Sequence, residues 1–151
     1  MKKIFLIRSI LMLLMVSLCS AFYVSKELQL VKEVYVYTNT FRKLNGLRSL
    51  SINDQLNAIA QQHSENMAAG KISFSHEGFN NRCKLIRIVD STLFKFAENI
   101  AYGPTSGEEV VKRWEDSPGH RQNMLGEYTH IGIGVAKAKN GTIYYTQIFG
   151  G

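Results

Sequence analysis

Cysteine, proline and tryptophan are all scarce in this 151-residue chain: two cysteines, two prolines and a single tryptophan. One cysteine, Cys19, lies in an N-terminal leader, so a processed chain keeps only Cys83 and cannot close an internal disulfide. Stability then has to come from packing, and 45% hydrophobic content over this length is enough for one domain with its own core. A lone Cys83 reads as a small buried residue rather than a nucleophile. A concentrated basic stripe is missing too. Three of the 18 Lys and Arg and none of the 12 Asp and Glu fall within residues 1–21, so the remainder carries a scattered +3. Nucleic-acid binding rests on clustered cations that neutralise several phosphates, and it is excluded on that ground.

Nor is there a clean run of the ~20 apolar residues that span a bilayer. The apolar stretch from Ile10 to Leu18 is short, and extending it back to Ile4 would bury Arg8. Lys2, Lys3 and Arg8 precede it, and Cys19, Ser20 and Ala21 follow. A basic start, a short apolar centre and small residues at the cleavage site describe a secretory signal peptide over residues 1–21. Cleavage after Ala21 would leave a lead-in over 22–33 and a domain over 34–151, exported to the outside, the periplasm or the cell envelope. The alternative is an uncleaved leader that anchors the chain in the membrane. Leu18 before Cys19 argues against a lipid-modified cysteine.

Beyond the leader, Leu28, Val31, Val34, Tyr35, Thr38, Phe41 and Leu44 recur in steps of three and four, which predicts an amphipathic helix over Glu27–Asn45 closed by Gly46. A second helix is expected over Asn53–Ala69, capped by Ser51 or Asn53, stopped by Gly70, with Leu56, Ile59, Ala60, His63 and Met67 facing inward. Ile72–Ser75 reads as a short extended piece, Asn80–Val89 as a short helix and Ala97–Tyr102 as a strand or loop. A helix from Ser106 or Gly107 to Asp116 would bury Val110, Val111 and Trp114. Ser117-Pro118 then starts a new short helix ending near Leu125, with serine as cap and proline at the first position.

The end of the chain carries the β signal. Ile131, Ile133 and Val135 alternate with Gly132 and Gly134, and the run Thr142–Gly150 is rich in Tyr, Ile, Thr and Phe. Asn140-Gly141 between them predicts a hairpin turn. The two glycines either admit a close-packed neighbour or leave room for a ligand. Helices before strands argue for an α+β fold with a mostly antiparallel sheet covered by helices.

Three segments carry the polar residues of interest: Phe74-Ser75-His76, Ala97-Glu98-Asn99-Ile100-Ala101-Tyr102-Gly103, and Trp114 through Leu125 with Gly119-His120 and Asn123 inside it. With the Leu44-Asn45 helix exit, Arg48 and the closing hairpin, they resemble the CAP superfamily of cysteine-rich secretory proteins, antigen 5 and plant pathogenesis-related class-1 proteins, in its bacterial branch. The resemblance covers Val34–Gly150. It implies an α-β-α sandwich whose central, mostly antiparallel sheet is flanked by helices, and a surface cleft that in many members holds two histidines and two glutamates. Carried over, His76 is the first histidine, Glu98 the glutamate of the Glu-Asn-Ile segment and His120 the second histidine. Ser117 stands where the resemblance implies the other glutamate, so the tetrad is incomplete; the disulfides of eukaryotic members are absent as well.

The chemistry of these residues leaves several roles open. His120 in the first turn of a helix is expected to have a lowered pKa, which favours a neutral ring that binds a metal or accepts a proton. Glu98 would act in the opposite direction by pairing with the ring. Two imidazoles and a carboxylate form a zinc-type donor set, with His76 and His120 as the metal ligands and a divalent ion such as zinc as cofactor. His76, Glu98 and His120 are equally the candidates for catalysis. The same residues also have plain structural readings, tying a loop and a helix end to the sheet. His63 reads as a core histidine, Arg121 as either solvated or the partner of Glu98, and Asn99 and Asn123 as partners of backbone groups. A serine hydrolase of Ser117, His120 and Glu98 meets two objections: Ser117 has a capping role, and no Gly-x-Ser-x-Gly elbow is present. The expected function is an exported, monomeric binding module whose cleft takes a small ligand, a lipid, a metal or an envelope component. A metal-dependent or serine-type hydrolase in the same cleft is the alternative, and a purely structural envelope protein is the third reading.

Overall fold

A computed structural model of the chain describes residues 26–151, so the leader and its cleavage site lie outside the described residues. The elements run α1 (26–44), β1 (Ser51–Ile52), α2 (Asp54–Ala68), α3 (Phe79–Val89), β2 (Phe96–Tyr102), α4 (Gly107–Glu115), α5 (Pro118–Met124), β3 (His130–Lys137) and β4 (Ile143–Gly150). The helix stripe expected from Glu27 onward is realised, and α1 runs unbroken past Val34, with Leu30 already in the core. Gly46, at φ +75°, provides the left-handed exit. Asn53 caps α2 by accepting from the Leu56 N–H, and Ser106 caps α4 by accepting from the Glu109 N–H. Among the described residues no helix is long and apolar enough to cross a membrane.

The strands form one sheet in the order β1-β3-β4-β2, antiparallel except for the β1–β3 pair. Side chains of a strand alternate between faces, so each face builds its own core. On one face Ile131, Ile133, Val135, Tyr145 and Phe149 pack against Leu30, Val34, Phe41, Val110, Val111, Trp114 and Met124 of α1, α4 and α5. On the other, Ile148 packs with Leu56 and Ala60 of α2, Ile86 of α3, and Leu93. Helices on both faces make the α-β-α sandwich. Of the two readings of Gly132 and Gly134, close packing is the one realised: a β-carbon at either position would run into the backbone of α2 at Leu56 and Ala60.

One local reading changes, and one element is added. The stretch Ile72–Ser75 is a series of bends, not an extended piece, because no strand lies beside it to pair with. The short strand β1 escaped notice; two residues carry no periodicity. The hairpin expected at Asn140-Gly141 does join β3 to β4, by a turn of its own geometry. Gly141 lies at φ +91° while no described non-glycine residue has positive φ, so Asn140 is outside the region a type I′ turn demands. Instead the Ala138 N–H donates to the Thr142 carbonyl (2.8 Å) and the Gly141 N–H to the Ala138 carbonyl (2.9 Å), closing a three-residue loop.

Candidate functional site

Glu98 sits in the middle of β2 with its side chain turned toward α2 and α3, and only 1% of that side chain is exposed. A buried carboxylate needs compensation, and here it is complete. Arg82 of α3 approaches it with two prongs, Nε to Oε2 and Nη2 to Oε1, each at 2.7 Å. His76 Nδ1 donates to Oε1 at 2.9 Å. His63 of α2 stands behind, its Nε2 3.9 Å from Oε1 and 3.2 Å from the Ser75 carbonyl, which as an acceptor places the proton on Nε2. Burial, then the Arg82 guanidinium, holds the His63 pKa below the ordinary imidazole value. Glu98 therefore fixes His76 by its Nδ1 and turns the other ring nitrogen outward, as a carboxylate does behind a working histidine. His76 itself is half exposed.

The next residue, Asn99, points to the opposite face and fixes α5. Its Nδ2 donates to the His120 carbonyl (3.2 Å) and to Gln147 Oε1 (3.1 Å), while its Oδ1 accepts from Asn123 Nδ2 (2.9 Å). Asn123 also donates to the Glu98 carbonyl (3.2 Å), and Gln147 passes the chain on to Thr38 of α1 (2.8 Å). This buried network seats α5 across the rim of β2 and so delivers His120. Desolvation lowers the His120 pKa, and His76 nearby adds to the effect, so the two rings share one electrostatic neighbourhood. The lowered value agrees with the expectation, but burial and His76 supply it.

Beside His120 a cleft of about 380 Å³ opens over the C-terminal half of β2, lined by Phe74, Ile100, Ala101, Tyr102, Arg113, Trp114, Ser117 and His120; His76 and Glu98 are not among its lining residues. Phe74, Tyr102 and Tyr144 form an aromatic cluster on one side, with Phe74 edge-on to Tyr102 at 4.8 Å and Tyr102 stacked on Tyr144 at 5.8 Å. Trp114 closes the other side, its indole N–H donating to the Ile100 carbonyl at 3.2 Å.

The sequence model of the cysteine-rich secretory protein family, CAP, matches residues 35–149, from the second half of α1 into β4. The chain belongs to the CAP family. It is 34% identical over 122 residues to protein YkwD of Bacillus subtilis (strain 168), and it spans 46% of that protein's length. An extracellular protein containing an SCP domain from Bacillus anthracis superposes with a TM-score of 0.68 at 27% identity, covering 82% of this chain and 40% of that one. With an outer surface protein of Borrelia burgdorferi the TM-score is 0.70 at 23% identity, over 79% of this chain and 90% of that one, a likeness of fold alone.

Within this CAP domain Glu98 departs from two expected roles. Its partners are Arg82 and His76, and Arg121 lies elsewhere, over the Phe41 ring at 4.9 Å and 3.3 Å from Asn45 Oδ1. It does not fit as a third metal ligand. Both oxygens are already engaged and a guanidinium sits against them, so a divalent cation would be left two imidazoles, those of His76 and His120. Among the described residues no group of three His, Cys, Asp or Glu side chains is placed to hold a metal. Ser117 departs in the other sense: it stands at the cap position of α5, yet its side chain makes no capping hydrogen bond. The helix start is set by Pro118 instead, and Ser117 lines the cleft beside His120. Cys83 is half-buried, and burial pushes its thiol pKa up, away from a nucleophilic thiolate. His63 is the core histidine expected, and Asn99 and Asn123 do satisfy backbone carbonyls.

Arg82 was missed, although a signal existed: on α3 it lies four residues before Ile86, the one buried apolar residue of that helix, and so shares its inward side.

Proposed function

We propose that this CAP domain is an exported binding module of the cell envelope, and that its cleft beside β2 holds a small envelope component between the aromatic cluster and His120. Residues 1–21 act as the export signal, and the mature chain begins near Phe22 and works as a monomer. The observation that carries the reading is the saturation of Glu98. A hydrolytic relay needs a carboxylate behind the histidine that serves the nucleophile. Here the carboxylate stands behind His76, while Ser117 lies with His120. What remains is a rigid, charge-balanced base that holds His76 in one orientation and a cleft walled by Phe74, Tyr102 and Trp114, which suits recognition.

The test is retention of ligand. The purified chain is incubated with an extract of envelope small molecules and lipids, washed, and analysed by native mass spectrometry beside a His76→Ala, His120→Ala double variant. Retention by the wild type and loss in the variant, with melting temperatures unchanged, is the expected result. Turnover of ester or peptide substrates that Ser117→Ala abolishes would replace binding with the hydrolase. Loss of stability alone in the double variant would favour a structural role. A calorimetric zinc titration of the same pair decides whether the two imidazoles take a metal.

A further inference from the structure

One of the two edge strands, β2, is paired with a neighbouring strand on one side only. Its phase is set at both ends. Lys95 and Gly151 exchange both backbone hydrogen bonds (2.6 and 3.0 Å), and the Gly103 N–H donates to the Ile143 carbonyl (2.9 Å). In an antiparallel pair such residues alternate, so Ala97, Asn99 and Ala101 bond to β4, while Phe96, Glu98, Ile100 and Tyr102 turn N–H and C=O away from the sheet. Two of the outward carbonyls are covered, Glu98 by Asn123 and Ile100 by Trp114. The N–H of Ile100 and both backbone groups of Tyr102 have no hydrogen-bond partner among the described residues, and both residues line the cleft.

We infer that the ligand of this cleft is an extended peptide segment that adds to the outer edge of β2 as a further strand, with an acidic group at the Arg113 end. The inference rests on reading the cleft as a binding site. Ile100 and Tyr102 are two residues apart, the repeat at which alternate residues of an incoming strand present their hydrogen-bonding groups. The peptide's carbonyls accept from Ile100 and Tyr102, and its N–H donates to the Tyr102 carbonyl. Phe74, Tyr102 and Trp114 flank its side chains. The acidic end follows from charge: Arg113 is the one formally charged residue among those lining the cleft, and it lies beyond the strand, beside Gly103. It gives only Nη2 to Glu109 (2.7 Å), which leaves Nε and Nη1 for a second carboxylate.

The experiment uses the full ¹⁵N-labelled chain and a synthetic library of acetylated hexapeptides ending in a free glutamate, the other positions randomised over valine, isoleucine, threonine and tyrosine. Binding shifts the Ile100 and Tyr102 amide resonances, and the same library N-methylated at alternate residues leaves them unmoved. Proline is tolerated at an edge position whose N–H faces outward. Tyr102→Pro therefore binds about five- to tenfold more weakly than Tyr102→Ala, the loss of one hydrogen bond. No shift at about millimolar peptide, or equal binding by the methylated library, overturns the proposal, and so does equal affinity of the two Tyr102 variants. The methylated comparison uses the wild-type chain and stands even if Tyr102→Pro fails to fold. An envelope ligand lost from the double histidine variant but kept by Tyr102→Pro would sink the peptide and spare the cleft; a ligand retained by both would sink the two together.

Discussion

Along the outer side of β3 the N–H groups of Ile133, Val135 and Lys137 end on oxygens of Asn57, Gln61 and Glu27 (2.9, 2.9 and 3.2 Å), and β1 covers the first residues of the strand. Along the outer side of β2 only two carbonyls are covered, those of Glu98 and Ile100, and the strand's last residues border an open cleft. Unpaired strand edges invite association with other chains, and proteins close them where nothing is to be gained. Here one edge is closed by side chains of two helices, and the other is closed only where α5 has to be seated. The contrast shows where this domain keeps backbone groups available.

The largest expected effect concerns what steadies the open edge. Arg82→Met leaves Glu98 buried without its partner and is expected to cost about 3–5 kcal/mol of stability, read by urea unfolding. A cost below about 1 kcal/mol would mean that β2 does not depend on this ion pair. Next comes the packing of α2 on β3, which brings Asn57 and Gln61 to the closed edge. Gly134→Ala forces a methyl group into the backbone at Ala60, and a loss of about 3 kcal/mol follows, measured in the same way. A smaller loss, about 1–2 kcal/mol, is expected for Gln61→Leu, which strips the Val135 N–H and C=O of their partner. Hydrogen exchange sharpens this case: the Val135 amide should exchange slowly in the wild type and as fast as Tyr102 in the variant.

The smallest effect is a pH dependence. His63 and His120 both have lowered pKa values in the folded chain, so on acidification the unfolded chain binds their protons first. Their contribution is complete above the ordinary imidazole pKa of about 6.5 and falls away as the pH drops below it. Thermal melts between neutral and mildly acidic pH should show the decline, and His63→Gln, which keeps an N–H for the Ser75 carbonyl, should flatten it. A melting temperature that rises on acidification would contradict the assignment.

Much of the fold was legible because it is local. The stripe in α1, the start of α2 at one of two candidate caps, the start of α4 near Ser106 and the alternation in β3 each state their own backbone geometry within one segment. Close packing at Gly132 and Gly134 was one of two readings, and choosing between them required knowing that α2 crosses there. The site was legible as a list of residues, His76, Glu98 and His120, but not as a set of partnerships. Glu98 chose Arg82 over Arg121 because α3 folds onto the inward side of β2, while Arg121 is carried off to Phe41 by α5. The Ser117 hydroxyl went without its capping bond although its neighbours spell a capping sequence.

By itself, then, the order of amino acids determined the main helices, the closing hairpin and the side each apolar stripe would bury, since those depend on neighbours a few residues away. Only the tertiary structure decided which cation neutralises Glu98, which histidine it orients and which strand edge stays open. Those outcomes depend on groups that lie far apart along the chain and meet only when the two helical layers close on the sheet.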